Sequence, residues 1–441
     1  MKQENTKLTE LLIKLFDKDI YQVGGVVRDE ILNRPCKDMD FLVINRDYNS
    51  IANDLSYYGK TYLVGKSFGI IKFKPNEMDI TVDIAIPRTE KSVGVGHRDF
   101  EVNTKNVSLQ DDLDRRDFTM NALAKNLLTG KITDIVEGQR DIDKKLICVI
   151  TSKSFTEDPL RMIRACRFAS QLNFQIGWTT QNLIIESAEL IKTISGERIQ
   201  EELNKILVSD KPSIGLRYLS KLGLMMYIVP EVELLNGIEQ PKKYHMYDAF
   251  IHTMETVDQI KNDLTLRLTA LLHDVGKVDT QTIENGEIHF YEHEDTSVMR
   301  ARDVMLRLKY PNDISDRVLL LIKHHLVDLN LSRKGIRKLI AAVGVDNIYD
   351  LLEHKRADKL ASLPDNEQLE DIETLKLKVE KEIKNESAFS IKDLDISGED
   401  IMKILNIPPG PKVGEVLKSL FDKVMDNPEL NEKETLIKLV V

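Results

Sequence analysis

Along the first 150 residues, short apolar runs alternate with turn-forming clusters, and their length and spacing are those of strands. Strands are expected at Ile20 to Val23, Asp40 to Ile44, Thr61 to Val64, Gly69 to Phe73 and Ile80 to Ile86. Helices over roughly Val26 to Leu32 and Tyr48 to Tyr58 interrupt them. From Asp158 onward the apolar spacing becomes helical and stays so almost to the end. The pattern predicts an α+β chain, with a small mixed α/β head followed by a mostly α-helical body. Turn residues suggest a linker over Asn236 to Lys243, which holds Gly237 and Pro241. A further boundary is expected near Leu363 to Glu367, where Pro364 and Asp365 interrupt the helices. The expected division is 1–150, 151–235, 236–363 and 364–441.

Composition adds exclusions more than assignments. At 441 residues the chain is too long for one ordinary core. No apolar run approaches the roughly 18 residues that span a bilayer. The longest, Phe41 to Ile44 and Val318 to Ile322, read as a buried strand and a buried helix. The opening MKQENTKLTE lacks the apolar stretch of a secretion signal, so a cytoplasmic location without membrane partners is expected. Cys36, Cys148 and Cys166 form no C-x-x-C pair, which argues against a zinc ribbon and fits a reducing compartment. The net charge of -10 decides nothing about a nucleic-acid partner, because local patches govern such binding.

The first candidate chemistry lies in YQVGGVVRDEILNRPCKDMDFLVI. A strand ends at Val23, Gly24 and Gly25 turn the chain, and a helix follows, which aims backbone N–H groups at an anion such as a triphosphate. Asp38 and Asp40 lead into the next strand two residues apart, so both carboxylates face one side. Their mutual repulsion is relieved by a divalent cation. Asp83, in a later strand, is a third candidate. Alone, such carboxylates are usually a solvated strand edge; the Gly-Gly turn in the same short unit shifts the balance.

GGVVRD followed by DMDF resembles the signature of class II tRNA nucleotidyltransferases and bacterial poly(A) polymerases, within the polymerase-beta superfamily. Gly65 to Gly69 resembles that family's G-x-x-F-G turn, and DRRDFTMNAL at Asp114 to Leu123 resembles its R-R-D-F-T-x-N-A motif, with Met120 where Ile or Val is usual. Asp134, Gly138 and Asp141 match a D-x-x-x-G-x-x-D motif, followed by EDPLRMIR at Glu157 to Arg164 and ERIQEEL at Glu197 to Leu203. These motifs run in order over about the first 210 residues. The resemblance implies that Asp38, Asp40 and Asp83 are catalytic carboxylates, with Mg2+ held by Asp38 and Asp40. It also implies that Gly25, Arg28, Arg116, Asp117, Asn121, Asp158, Arg161 and Arg164 hold the nucleotide. The partners implied are tRNA, CTP and ATP.

The residues themselves support several of these roles. Arg116 offers a planar fork for phosphate oxygens. Asp117 and Asn121, four apart, would share one helical face and hold the ribose hydroxyls. Pro159 after an acidic residue marks a helix start, with Asp158 and Arg161 adjacent at i, i+3. A carboxylate accepts from an exocyclic amino group and a guanidinium donates to ring nitrogen or carbonyl oxygen. Cytosine and adenine satisfy both groups, whereas uracil and guanine leave them unpaired. An intrahelical pair between Glu157 and Arg161 is the plainer reading. The polar stretch from Arg88 to Arg115, made mobile by Gly94 and Gly96, resembles the flexible loop that enzymes adding only the two cytidines lack. Full CCA addition therefore ranks first, A-only addition second and poly(A) synthesis third.

A second constellation follows: His252, then His273-Asp274-Val275-Gly276-Lys277, His293, His324-His325 and Asp358, with His289 outside the series or supporting it. The order resembles the all-α HD-superfamily phosphohydrolases. By resemblance His252, His273, Asp274 and Asp358 would hold one divalent transition metal such as Mn2+, Ni2+ or Fe2+. His293 with His324 or His325 would hold another. The alternative is an HD fold retained as a tRNA-binding body. On this reading 1–150 is the nucleotidyltransferase head, 151–235 a nucleotide-selecting and RNA-binding neck, 236–363 the HD unit and 364–441 a helical tail. Arg333, Lys334, Arg337 and Lys338 are candidates for tRNA phosphates or a solvated helix start. Ile407 to Glu415 joins two helical patterns in the tail. Oligomeric state and the HD substrate are not legible.

Overall fold

The computed structural model describes residues 2–35, 39–62, 69–92, 100–104, 106–241, 243, 246–362, 367–385 and 388–440. Asp38, Gly65 to Phe68, Gly94, Gly96 and the Pro364–Asp365 boundary lie outside the described residues. The chain forms two compact units, one of residues 1–206 and 214–228, the other of 207–213 and 229–441.

The first unit is built on β1 (Ile20–Val23), β2 (Asp40–Val43), β3 (Gly59–Tyr62), β4 (Ile70–Pro75), β5 (Val82–Ala85), a separate β6 (Thr89–Ser92) and β7 (Phe100–Asn103) pair, then β8 (Leu123–Asn126) and β9 (Ile132–Asp134). Seven of these form one sheet in the order β3-β4-β5-β2-β1-β8-β9. Neighbours are antiparallel except β2 and β5, whose parallel register sets Asp40 opposite Asp83. One face carries Phe41, Val43, Ile71, Phe73 and Ile84, buried against Leu8, Leu12 and Phe16 of the helix Lys2–Phe16 and Ile51 and Leu55 of the helix Tyr48–Ser56. Asp47 caps the latter helix, its Oδ1 accepting from the N–H groups of Asn49 and Ser50. The described residues of the expected loop between Arg88 and Arg115 are not all irregular. They contain the antiparallel β6–β7 ladder, which satisfies backbone groups a loop would leave to water.

The rest is mostly helical, as the periodicity predicts, with two short strand pairs as departures. β10 (Leu146–Ile147) and β11 (Gln175–Ile176) pair in parallel within the first unit. In the second unit, β12 (Gln281–Glu284) and β13 (Glu287–Phe290) form a hairpin where an all-α unit was expected. Asn285 and Gly286 connect it at φ 52° and 84°, the left-handed pair that a two-residue hairpin demands. Of the four cations read as candidates for tRNA phosphates or for a solvated helix start, three make ion pairs within the unit. Arg333 Nε and Arg337 Nη1 donate to the two oxygens of buried Glu382 at 2.6 and 2.9 Å, and Lys334 Nζ lies 2.5 Å from Asp426 Oδ1. That run joins helices within the unit, because Arg337 Nε also donates to the Met425 carbonyl at the end of the helix Pro411–Asp426. Among the described residues no helix is long and apolar enough to cross a membrane.

Candidate functional site

In the first unit, Gly24 leaves β1 at φ 79° and hands the chain to the helix Gly25–Ile31. A Cβ on Gly24 would stand 2.5 Å from Arg116 Nη1, so the absent side chain admits a guanidinium. Arg28 on that helix donates from Nη1 to Asn121 Oδ1 at 2.7 Å. Asn121 Nδ2 donates in turn to Asp117 Oδ1 at 2.9 Å, and Arg164 Nε to Asp117 Oδ2 at 2.9 Å. Burial raises the affinity of Asp117 for a proton, but Arg164 and Asn121 outweigh it and hold the carboxyl below its ordinary range.

Asp117 and Asn121 do meet, though not on an α-helix. Phe118 is extended and bridges Val149, and only Thr119–Asn121 forms a single 3-10 turn. The bridge withdraws the backbone from a helical course, and the turn returns Asn121 to Asp117. Asp158 also differs from expectation: Pro159 caps the helix Leu160–Leu172, and Asp158 sits before it in extended conformation. Its Oδ1 accepts from the Leu160 N–H at 3.2 Å and lies 3.5 Å from Arg198 Nη2. Arg161 donates to Ser154 Oγ at 3.0 Å and to the Arg115 carbonyl at 2.8 Å, with Glu157 at 3.6 Å supplying the pair that i, i+4 spacing suggests.

These groups line one cavity of about 440 Å³: Gly24, Gly25, Arg28, Asp40, Arg115, Arg116, Asp117, Asn121, Asp158, Arg161 and Arg164, with Leu160, Phe168 and Arg198. Asp83 sits outside its lining, one strand from Asp40, with Lys72 Nζ 3.7 Å from its Oδ1. The sequence reading missed Asp112. It is fully buried and takes Arg115 at 2.6 Å and Arg116 at 3.2 Å on its two oxygens, so it aims both guanidiniums. The i, i+3 and i, i+4 spacing was its available signal. Phe168 was missed too. The guanidiniums of Arg28, Arg164 and Arg167 lie over its ring at 5.2, 5.6 and 4.4 Å.

The second unit gathers a different set. His252 lies on the helix Ala249–Gln259, while His273 and Asp274 follow the helix Leu264–Leu272. His293 opens the helix His293–Arg307, His325 follows the helix Asn312–Lys323, and Asp358 lies on the helix Ile348–Ser362. Asp274 Oδ2 is 3.7 Å from His252 Nε2 and 3.1 Å from His273 Nε2; its Oδ1 is 3.3 Å from His293 Nε2 and 3.9 Å from His325 Nε2. Asp358 Oδ1 is 3.1 Å from His252 Nε2. Two buried triads, His252–His273–Asp274 and Asp274–His293–His325, each place their candidate ligand atoms within 4.8 Å of one another.

The opposite ring nitrogens explain the orientation. Nδ1 of His273, His293 and His325 meets the carbonyl three residues back, of Ala270, Phe290 and Ile322, at 2.9, 2.9 and 2.7 Å. A carbonyl only accepts, so each Nδ1 bears the hydrogen and each Nε2 keeps a lone pair toward Asp274. Burial drives the His325 pKa well below its usual value. His324 is not part of the group: it is half-exposed past the helix end, and only His325 folds inward. Gln240, in the expected linker, is buried and accepts from Lys277 Nζ at 2.7 Å, while Lys277 also meets Asp274 Oδ2 at 2.6 Å. The periodicity also gave no hint of His354, fully buried with its ring 4.9 Å from that of His273. Burial pushes its pKa down to about 3. Its place four residues before Asp358 on one helix was the available signal.

A Gly-Gly turn, register-paired carboxylates and an arginine-lined cavity on a mixed sheet define a nucleotidyltransferase head. The family model of the poly A polymerase head domain matches residues 20–148. The model described as "Probable RNA and SrmB-binding site of polymerase A" matches 173–235, and that of tRNA nucleotidyltransferase domain 2 matches 293–440. The "Multifunctional CCA protein" of Pasteurella multocida is 35% identical over 324 residues, spanning 69% of this chain and 73% of its own. That of Vibrio cholerae is 33% identical over 317 residues, spanning 69% and 75%. The chain belongs to the multifunctional CCA protein family. In fold it is similar to the Bacillus stearothermophilus CCA-adding enzyme in complex with CTP, with TM-score 0.73 and 24% identity over 99% of this chain and 96% of that one. The Thermotoga maritima CCA-adding enzyme complexed with tRNA gives TM-score 0.58 and 22% identity over 99% and 95%.

Proposed function

We propose that this protein adds the 3′-terminal CCA to tRNA from CTP and ATP without a nucleic-acid template. The observation that carries the reading is the one cavity lined by the Gly24–Gly25 turn, Asp40, Asp158 and Arg161, in a member of this family. Asp40 and Asp83 stand in register on adjacent parallel strands, a carboxylate pair of the kind hard divalent cations take, and Asp38 is two residues before Asp40. Mg2+ bound there would supply electrostatic stabilisation of the attacking oxygen and of the leaving pyrophosphate. The RNA 3′-hydroxyl forms a bond to the α-phosphorus as the bond to pyrophosphate breaks. Gly25 and Arg116 hold the triphosphate, and Asp117 and Asn121 meet the ribose while Arg28 and Arg164 hold those two in place. Asp158 and Arg161 select cytosine and adenine by the donor and acceptor pattern already described. The residues between Arg88 and Arg115 favour full CCA addition over addition of cytidine alone. The action is placed in the cytoplasm, and the division at 1–150, 151–235, 236–363 and 364–441 belongs to the same proposal.

Product length tests this reading. With Mg2+, CTP and ATP, a transcript ending before CCA should grow by three nucleotides only when both triphosphates are present. Extension of a CC-ended transcript alone would make this an A-adding enzyme, and a long ladder a poly(A) polymerase.

We further propose a metal-dependent phosphohydrolase in the second unit, carried by the two triads that share Asp274. Buried imidazoles whose Nε2 atoms converge on the Asp274 and Asp358 carboxylates make a donor set that would suit transition-metal ions such as Mn2+, Ni2+ or Fe2+. Such ions would supply Lewis acidity to a phosphoester and its attacking water. His252, His273, His293 and His325 with Asp274 and Asp358 would hold them. The double variant His273→Ala, Asp274→Ala should lose phosphatase activity while nucleotide addition continues. Loss of both activities would assign the second unit a structural role instead.

A further inference from the structure

The cavity around the second site measures about 780 Å³, and its inner wall carries charges that the metal ligands do not explain. Lys355 and Lys359 lie one turn apart on the helix Ile348–Ser362, either side of Asp358, and both line the cavity. Lys355 is buried and Lys359 half-buried, whereas the rim residues Glu239, Lys243 and Glu287 are exposed. Like charges at i, i+4 destabilise a helix, and lysine is rarely buried without a close partner. Lys277 has such partners in Asp274 and Gln240. Lys355 Nζ comes only within 3.7 Å of Asp358 Oδ2, and Lys359 makes no ion pair among the described residues. The inner carboxylates, Asp274 and Asp358, are both turned toward histidine Nε2 atoms. An anion between the two ammonium groups would convert their repulsion into two attractions.

We propose that Lys355 and Lys359 are the phosphate grip of this cavity and bias it toward dianionic phosphomonoesters over monoanionic phosphodiesters. The proposal rests on the phosphohydrolase reading above and names the residues that hold its substrate. A monoester dianion offers three terminal oxygens and twice the charge of a diester, so each ammonium attracts it more strongly. In hydrolysis the water oxygen bonds to phosphorus as the ester P–O bond breaks. The departing oxygen takes a proton from that water, leaving an alcohol and inorganic phosphate. The product is again largely dianionic, so the grip binds it too and can be measured without turnover.

The test uses the full chain loaded with Mn2+, with inorganic phosphate binding read by calorimetry. It also reads KM and kcat for p-nitrophenyl phosphate and bis(p-nitrophenyl) phosphate. Lys359→Met should weaken phosphate binding and raise KM for the monoester roughly 10-fold, the loss of one charge-assisted hydrogen bond. Its kcat, its metal content and its melting temperature should be nearly unchanged, its KM for the diester should rise by a clearly smaller factor, and Lys359→Arg should restore most of the loss. Lys355→Met should act in the same direction, and Lys359, being half-buried, keeps the test open if that variant folds poorly. Unchanged phosphate affinity, or equal losses for both esters, would overturn the grip. If the wild type hydrolyses neither ester yet loses phosphate binding in Lys359→Met, the grip stands and the hydrolase reading fails. If both esters are hydrolysed and neither lysine variant changes anything, the hydrolase reading stands and the grip fails.

Discussion

Asp112 has no exposed surface, yet it accepts from both Arg115 and Arg116. Burial penalises its charge, and the two guanidiniums outweigh that penalty and keep it ionised. Asp112→Ala would remove the carboxylate that aims both arginines, and KM for CTP and ATP should rise roughly 10- to 100-fold, as losses of orienting groups do. Steady-state kinetics on each triphosphate checks this. Asp40 acts more directly. Asp40→Ala should reduce CMP and AMP incorporation by at least ~100-fold, with an unchanged melting curve, in a primer-extension assay. On the proposed reading, Asp158→Ala should instead keep much of the rate and lose selection, because it removes the acceptor proposed for the exocyclic amino group. Discrimination against UTP should fall by about 10-fold or more in competition assays.

Elements hold these residues through a few tight contacts. Asp134 accepts from the N–H groups of Gly138 and Gln139 at 2.8 and 2.9 Å, starting the helix Gly138–Asp143. Asp141 on that helix accepts from Thr119 Oγ1 at 2.7 Å, which ties down the 3-10 turn carrying Asn121. A Cβ on Gly138 would stand 2.2 Å from the Thr119 carbonyl oxygen. Gly138→Ala should therefore cost ~1–3 kcal/mol in denaturant unfolding and weaken nucleotide binding with it. The link between that turn and the helix Leu160–Leu172 is the Asp117–Arg164 pair. Because the folded carboxyl titrates below its usual 3.8, its contribution is present above that value and disappears as pH falls through the folded value. The melting-temperature gap between wild type and Asp117→Asn should be widest near neutrality and narrow as pH falls below 3.8. A gap that widens on acidification would contradict this sign.

For the molecule as a whole, each candidate site is contained in one compact unit, so the two chemistries should separate by mutation. Asp40→Ala should leave phosphatase activity intact and His273→Ala should leave nucleotide addition intact, measured side by side. Much of this was legible in the sequence. The head strands and the α+β class follow from apolar period, because a strand buried on one face must alternate and a helix must repeat every three to four residues. The Gly-Gly turn, Asp40 and the EDPLR segment were legible because they are local: spacing of a few residues sets their geometry. Only the tertiary structure decided what depends on distant partners. The register of β2 against β5 sets Asp40 beside Asp83, and the bridge from Phe118 to Val149 holds Asp117 and Asn121 off a helix. Folding inward chose His325 over its neighbour His324, and turned Gln240 from a linker residue into a partner of Lys277. Arg333 and Arg337 find Glu382 some 45 residues or more away, Arg337 in the interior and Arg333 with most of its side chain still in solvent. The reason is common to all of them. Chain periodicity reports which face of an element is apolar, whereas the contact that consumes or aims a charge is made across the chain.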